Sequence, residues 1–296
     1  MKKLICFCIV TLLVLGCLSG CVMGKKALLL VEDTRTDQTQ LLWAGFSQKA
    51  KKLGLKPILV GLTDETEVQY TAYQLWEQAV AEHDPHAVAV VGLTALDASY
   101  AFLTERESPV VAVNPAADLT VPDLFCVNGA TDVALARMAA ARIIEMEPPA
   151  SGRIRLLYNR DNEEVNQVFA SMLEEAAYFN LECTPLSGRI SEQPILNSFT
   201  EDTVAAYNAS SYDTEATDIS NLILSGATRA HLTALQDGRA CAVYCRDYET
   251  IGIQAADACA KALRGKEPTA ITVEPVLITS GGPKRNGAPY WLDLYD

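Results

Sequence analysis

Ala27-Leu28-Leu29-Leu30-Val31 is an unbroken apolar run of strand length, and the reading of the fold starts there. A strand that buries one face alternates apolar with polar residues; a continuous run means both faces are covered, as in parallel sheets. The same signal recurs at Pro57-Ile58-Leu59-Val60, Ala87-Val88-Ala89-Val90-Val91-Gly92 and Pro109-Val110-Val111-Ala112-Val113. Helical patterns lie between these runs. Trp43, Phe46, Ala50 and Leu53 are spaced three and four apart and stop at Gly54, a C-cap residue. Val68, Ala72, Leu75 and Ala79 mark a second helix, and Leu96, Ser99, Tyr100 and Leu103 a third. Buried strands alternating with helices predict a parallel, doubly wound sheet.

The rhythm breaks between Pro115 and Pro122, and Phe125-Cys126-Val127 follows as a short strand. Thr131 can cap a long Ala-rich helix that Pro148-Pro149 ends. A second run opens at Ile154-Arg155-Leu156-Leu157-Tyr158, and Val165, Phe169, Met172 and Ala176 form the next helix face. Leu181 to Leu186, Thr203 to Tyr207, Asn221 to Leu224 and Ala240 to Cys245 read as strands. Arg229 to Gln236 reads as a short helix stopped by Gly238, and Ile251 to Arg264 as a long one stopped by Gly265. Ile271 to Ile278, interrupted by Pro275, supplies one or two last strands. The expectation is an α/β protein of two doubly wound, Rossmann-like parallel-sheet lobes joined by a hinge of crossover strands. Such sheets bind ligands beyond the carboxyl ends of their strands, so two facing lobes would trap a small solute.

The N-terminus carries its own signal. Met1-Lys2-Lys3 is basic and Leu4 to Gly16 nearly all apolar, as in a secretory leader. Leu18-Ser19-Gly20-Cys21 resembles the bacterial lipobox, which implies a signal peptide over residues 1–20 and a lipid on Cys21. A plain membrane anchor is the alternative, since Leu4 to Met23 is just long enough to span a bilayer. Either way the expected location is extracytoplasmic, tethered to the cell membrane.

Charge and composition narrow the class. The chain has 24 Lys+Arg against 37 Asp+Glu, a net charge of −13. Such a surface repels phosphate backbones, so no nucleic-acid partner is expected. Without a basic cluster for anionic lipid, membrane attachment falls to Cys21. No Gly-x-Ser-x-Gly elbow, phosphate loop or Gly-x-Gly-x-x-Gly fingerprint is present, so neither a cofactor nor catalysis is expected. His83-Asp84-Pro85-His86 reads as a polar turn, His231 as a surface or capping residue, and no metal is expected. Trp43 and Trp76 read as packing. Cys126, Cys183, Cys241, Cys245 and Cys259 are an odd set beyond the leader. Cys241 and Cys245, on one strand, would stand ~13 Å apart, too far for a bridge. Small buried hydrophobes are the expected role for these cysteines.

Three stretches resemble the type I periplasmic solute-binding proteins of ABC importers. Ile154 to Asn159, with Glu164, Asn166 and Leu173-Glu174-Glu175-Ala176-Ala177, is similar to the opening of the second lobe in the group with tryptophan- and tyrosine-binding members. Asp237 to Ala242, Asp247-Tyr248 and Ile251-Gly252 resemble the return into the first lobe, continued by Ala255-Ala256, Leu263 to Lys266 and Pro268. Sugar-binding relatives share much of this last part. The resemblance implies a first lobe of 25–128 plus 247–275 and a second of 129–246 plus 276–296. The chain also departs from the sugar-binding pattern. Asn114-Pro115 stands where an Asp-Arg pair is usual, Arg246 where Gln is, and Ser225-Gly226-Ala227 where Gly-Phe-Asp is. The segment 209–220 is too short for the usual helix.

Strand-end logic nominates Arg35, Thr36, Asp37, Thr94, Asn114 and Asn128 in the first lobe, and Asn159, Tyr207, Asn208, Ser210 and Ser225 in the second. Thr94 can offer its hydroxyl and the N–H groups of a helix start to a carboxylate. Arg246, Asp247 and Tyr248 lie at the return crossover, where Arg246 and Asp247 would clamp an amino acid's carboxylate and ammonium. The expected protein is a monomeric solute-binding component that meets an ABC permease and favours an amino-acid-like solute. A sugar is the alternative, as is a tethered ligand sensor, or a hydrolase or structural lipoprotein that reuses the fold. The tail Gly281 to Asp296 is open between packing on a lobe and meeting a partner.

Overall fold

The computed structural model describes residues 24–61, 72–92, 108–115, 124–145, 153–159, 167, 171, 180–186, 203–206 and 223–295. In chain order the elements are β1 (Lys26–Val31), α1 (Asp37–Lys52), β2 (Lys56–Gly61), α2 (Ala72–His83), β3 (Ala87–Val91), β4 (Val110–Val113) and β5 (Phe125–Asn128). Then come α3 (Asp132–Glu145), β6 (Arg153–Asn159), β7 (Asn180–Leu186), β8 (Thr203–Ala206), β9 (Ile223–Ser225) and α4 (Arg229–Gln236). The chain closes with β10 (Ala242–Arg246), α5 (Tyr248–Ala262), β11 (Ala270–Thr272), β12 (Pro275–Ile278) and α6 (Ala288–Leu292). The expected helix face at Leu96 to Leu103, Val68, and the lipobox lie outside the described residues.

Two compact units result, Met1–Asn128 with Glu249–Ile271 and Gly129–Tyr248 with Thr272–Asp296. The chain leaves the first unit after Asn128, returns to it at Glu249 and leaves it again after Ile271. The first unit's sheet has the order β11-β5-β4-β3-β1-β2 and the second unit's β12-β10-β9-β8-β6-β7. The second order repeats the first, strand for strand. The β1–β2, β1–β3, β3–β4 and β4–β5 ladders are parallel, and so are β6–β7, β6–β8, β8–β9 and β9–β10. Strand order reverses between β1 and β3, and again between β6 and β8, the places where doubly wound sheets open a crevice at their carboxyl ends.

Burial explains the apolar runs. Leu28 and Leu30 pack with Val88, Val90, Val110, Ala112 and, from α2, Ala79 and Val80. Their neighbours Ala27, Leu29 and Val31 are buried as well, so both faces of β1 are covered. Helices α1 and α5 cross almost backbone to backbone. A Cβ added at Gly45 would stand 2.0 Å from the Glu249 carbonyl oxygen, and one at Gly252 2.0 Å from that of Leu42. In the second unit Pro275 does not interrupt a strand but begins one. β12 is an edge strand antiparallel to β10, with Pro275 opposite Arg246, a place that tolerates a missing N–H.

One residue read as peripheral, His231, and one in the tail left open, Trp291, are internal. His231 is 1 % exposed and its Nδ1 lies 2.9 Å from the Gly226 carbonyl, so it is neither a surface residue nor a cap. Trp291, in the unassigned tail, is fully buried, and α6 packs on α4. Trp43 is half-buried and stacks on Phe46.

Cys126, Cys241, Cys245 and Cys259 are free thiols, the last two buried. Burial pushes all four up: Cys241 to about 11, Cys259 to about 12, and Cys245 higher still. A folded-state value above the unfolded one means that stability is complete below the ordinary thiol range and declines as pH rises through the folded values. We expect stability to fall above about pH 9, by at most ~1.4 kcal/mol per pH unit for each buried thiol. At pH 8, iodoacetamide should label Cys245 and Cys259 only after unfolding. Fast native labelling of both, read by mass spectrometry, would refute their burial.

Candidate functional site

In the first unit the loop after β1 is locally braced. Arg35 folds back on Asp33, its N–H and Nε donating to Oδ1 at 2.8 and 2.9 Å and its NH2 to Oδ2 at 3.0 Å. The Arg35 side chain holds the Asp33 carboxyl below its usual range. Thr36 caps α1 by accepting from the Thr39 N–H, and Asp37 stands in the first turn, where a helix favours negative charge. Asn114 follows β4 in the left-handed region (φ +46), which asparagine tolerates. Its N–H donates to the Val127 carbonyl at 2.8 Å, beside Asn128 at the end of β5. The structure thus brings Asn114 and Asn128 to neighbouring strand ends. Thr94 lies outside the described residues.

In the second unit Ser225 ends β9 and is 8 % exposed. Gly226 takes a positive φ of +87 next to it, and Thr228 caps α4 by accepting from the His231 N–H. His231 braces this loop through Gly226, a part the sequence reading missed. Arg246 ends β10, with Nε donating to the Ala130 carbonyl at 2.8 Å and NH2 to Asp132 Oδ1 at 2.5 Å. Burial works against the Arg246 charge, but Tyr248 and Asp132 outweigh it and hold the guanidinium above its ordinary value. Burial pushes the Tyr248 phenol up, despite the opposing pull of Arg246, so Tyr248 stays a neutral hydroxyl.

Asp247 is 8 % exposed and accepts from NH2 of Arg285, at 2.7 Å on Oδ1 and 2.8 Å on Oδ2. Arg246 and Asp247 therefore turn to different partners inside this unit, where the sequence suggested one clamp. Both partners escaped the sequence reading. Asp132 stood in plain view at a helix start, whereas nothing local marks Arg285. Asn159 ends β6, in register with Leu186; Tyr207, Asn208 and Ser210 lie outside the described residues. Among the described residues no three His, Cys, Asp or Glu side chains gather as a metal site, and no helix is long and apolar enough to cross a membrane. An open groove of about 550 Å³ beyond α5, lined by Lys261, Arg264, Lys266, Glu267 and Thr269, includes none of the nominated residues.

No protein-family profile matches the chain, and no curated protein does. Solved structures do. A periplasmic ribose ABC transporter protein from Conexibacter woesei matches with a TM-score of 0.68 at 16 % identity, over 88 % of this chain and 94 % of that one. A carbohydrate transporter solute-binding protein from Agrobacterium radiobacter, in complex with D-arabinose, gives 0.65 at 17 %, over 92 % and 99 %. The arabinose-binding protein AraP from Geobacillus stearothermophilus gives 0.66 at 14 %, over 86 % and 97 %. These three are named for sugars or carbohydrate, and the leaning toward tryptophan- and tyrosine-binding proteins finds no support among them. At such identities the likeness carries architecture rather than ligand. With its twin sheets of one strand order, the chain has the type I periplasmic-binding-protein fold.

Proposed function

We propose that this chain is an extracytoplasmic solute-binding component of an ABC importer, that its solute is a sugar, and that it binds without turnover. The observation that carries the sugar reading is the pair of Arg–carboxylate contacts at the carboxyl end of β10, Arg246–Asp132 and Arg285–Asp247. Guanidinium and carboxylate groups held in fixed directions suit hydroxyls, which donate and accept at once. The amino-acid reading needed Arg246 and Asp247 as counter-charges, and each already has one. Sugar-named neighbours of the same fold support this choice.

The rest of the proposal concerns partners. A membrane permease receives the solute, the chain works as a monomer, and a lipid on Cys21 tethers it. Cys21→Ala is expected to leave the chain without a lipid adduct by mass spectrometry; an adduct that persists would place the lipid elsewhere.

The function is tested by thermal shift of the purified chain with D-ribose, D-arabinose, D-glucose and D-galactose, against the twenty amino acids. A sugar at ~100 times its dissociation constant is expected to add ~2.7 kcal/mol. A shift confined to amino acids would overturn the sugar reading, and no shift with any solute would overturn the binding role.

A further inference from the structure

The tail after β12 is fastened at several points to the loops that follow β9 and β10. Trp291 Nε1 donates to the Arg285 carbonyl, and the Arg285 guanidinium lies 5.8 Å from the Tyr290 ring centre and 5.9 Å from that of Trp291. Farther on, Arg229 NH2 donates to the Tyr295 carbonyl at 3.0 Å, and the Tyr295 hydroxyl to the Ala227 carbonyl at 2.5 Å. Held in this way, Arg285 meets Asp247, whose side chain is only 12 % exposed. A carboxylate so withdrawn from water needs a counter-charge.

We infer that Arg285 is a positioning residue of the solute site and sets the direction and charge that Asp247 presents to a sugar. This rests on the reading above, in which Asp247 faces the solute. A carboxylate has about four lone-pair sites. Arg285 meets one on each oxygen, which fixes how the carboxylate is turned and opposes its charge. The paired carboxylate thus accepts from a neutral polyol, while the adjacent guanidinium opposes a solute ammonium. The tail, with no role assigned by the sequence, becomes part of the site.

The test is a double-mutant cycle by calorimetry on the full chain in detergent, titrated with D-arabinose, D-ribose, D-glucose and D-galactose. Arg285→Met and Asp247→Asn are each expected to weaken the sugar that binds by about tenfold or more, as for loss of a charged hydrogen bond. Arg285→Met should add nothing in the Asp247→Asn background. Arg285→Lys should recover part of the loss. Arg229→Met, which releases the other end of the tail, should stay within about twofold of the parent. If Arg285→Met binds normally, if the two losses add in full, or if Arg229→Met weakens binding as much, the inference falls while the sugar reading stands. If the parent chain binds none of the four sugars, the sugar reading fails and takes the inference with it.

Discussion

Gly252→Ala is expected to destabilise the first unit by about 3 kcal/mol or more, at the upper end of what overpacking a core costs. The added methyl would sit 2.0 Å from the Leu42 carbonyl oxygen and 2.8 Å from the Phe46 nitrogen, both backbone atoms of α1. A flexible side chain could swing aside; a helix backbone cannot. Relief requires α1 and α5 to move apart by more than 1 Å, roughly the shortfall from ordinary van der Waals contact. That separation would also loosen buried Leu42, Phe46, Ala255 and Ala256. Gly45→Ala meets the reciprocal obstacle at the Glu249 carbonyl, so it should behave alike. Gly281→Ala has open space around its Cβ and serves as the control, within about 0.5 kcal/mol of the parent. Urea unfolding followed by circular dichroism reads all three. A Gly252→Ala protein as stable as Gly281→Ala would mean that the two helices do not cross as described.

This contact also marks a limit of sequence reading. Gly45 and Gly252 each sit inside a helical pattern, where glycine looks only unfavourable. Their purpose appears once two helices 200 residues apart in the chain, roughly, are laid together. The strands were easier, because burial on both faces writes itself as an uninterrupted apolar run: Leu28 to Leu30 and Val111 to Val113 are all fully buried. Helix stops were legible for a similar reason. Gly54, Gly238 and Gly265 take positive φ where a side chain is disfavoured, and that requirement is local.

The candidate site was legible only by address. Ser225 and Arg246 do end strands, as the buried runs before them imply. What each residue touches was not legible. Arg246 reaches back 114 positions to Asp132, and Arg285 reaches back 38 to Asp247. No periodicity links such partners, so the sequence offered Arg246 and Asp247 as one clamp for a solute merely because they are adjacent. His231 shows the same limit at short range. A lone histidine on a helix carries no sign of burial; the Gly226 carbonyl that satisfies it and the helix α6 that packs on α4 are tertiary facts.

Trp291→Ala is expected to destabilise the second unit by 3–5 kcal/mol, as large aromatic deletions from cores do. Trp291 is fully buried, although it lies five residues from the end of the given chain, where fraying is the ordinary expectation. Its indole donates to the Arg285 carbonyl and its ring meets Tyr290 edge to face, 6.1 Å between centres. Deletion therefore empties a packed cavity and frees the backbone that carries Arg285. Those two consequences separate in different measurements. Urea unfolding should show the full loss of stability. Trp291→Phe, which keeps most of the volume and loses only the donor, should cost roughly 1–3 kcal/mol, the penalty of an unmatched buried carbonyl. If Trp291→Ala costs less than about 1 kcal/mol, the tail is an appendage and not part of the core. It would then be too loosely held to place Arg285 against Asp247, and the tail's contribution to the solute site would have to be abandoned with it.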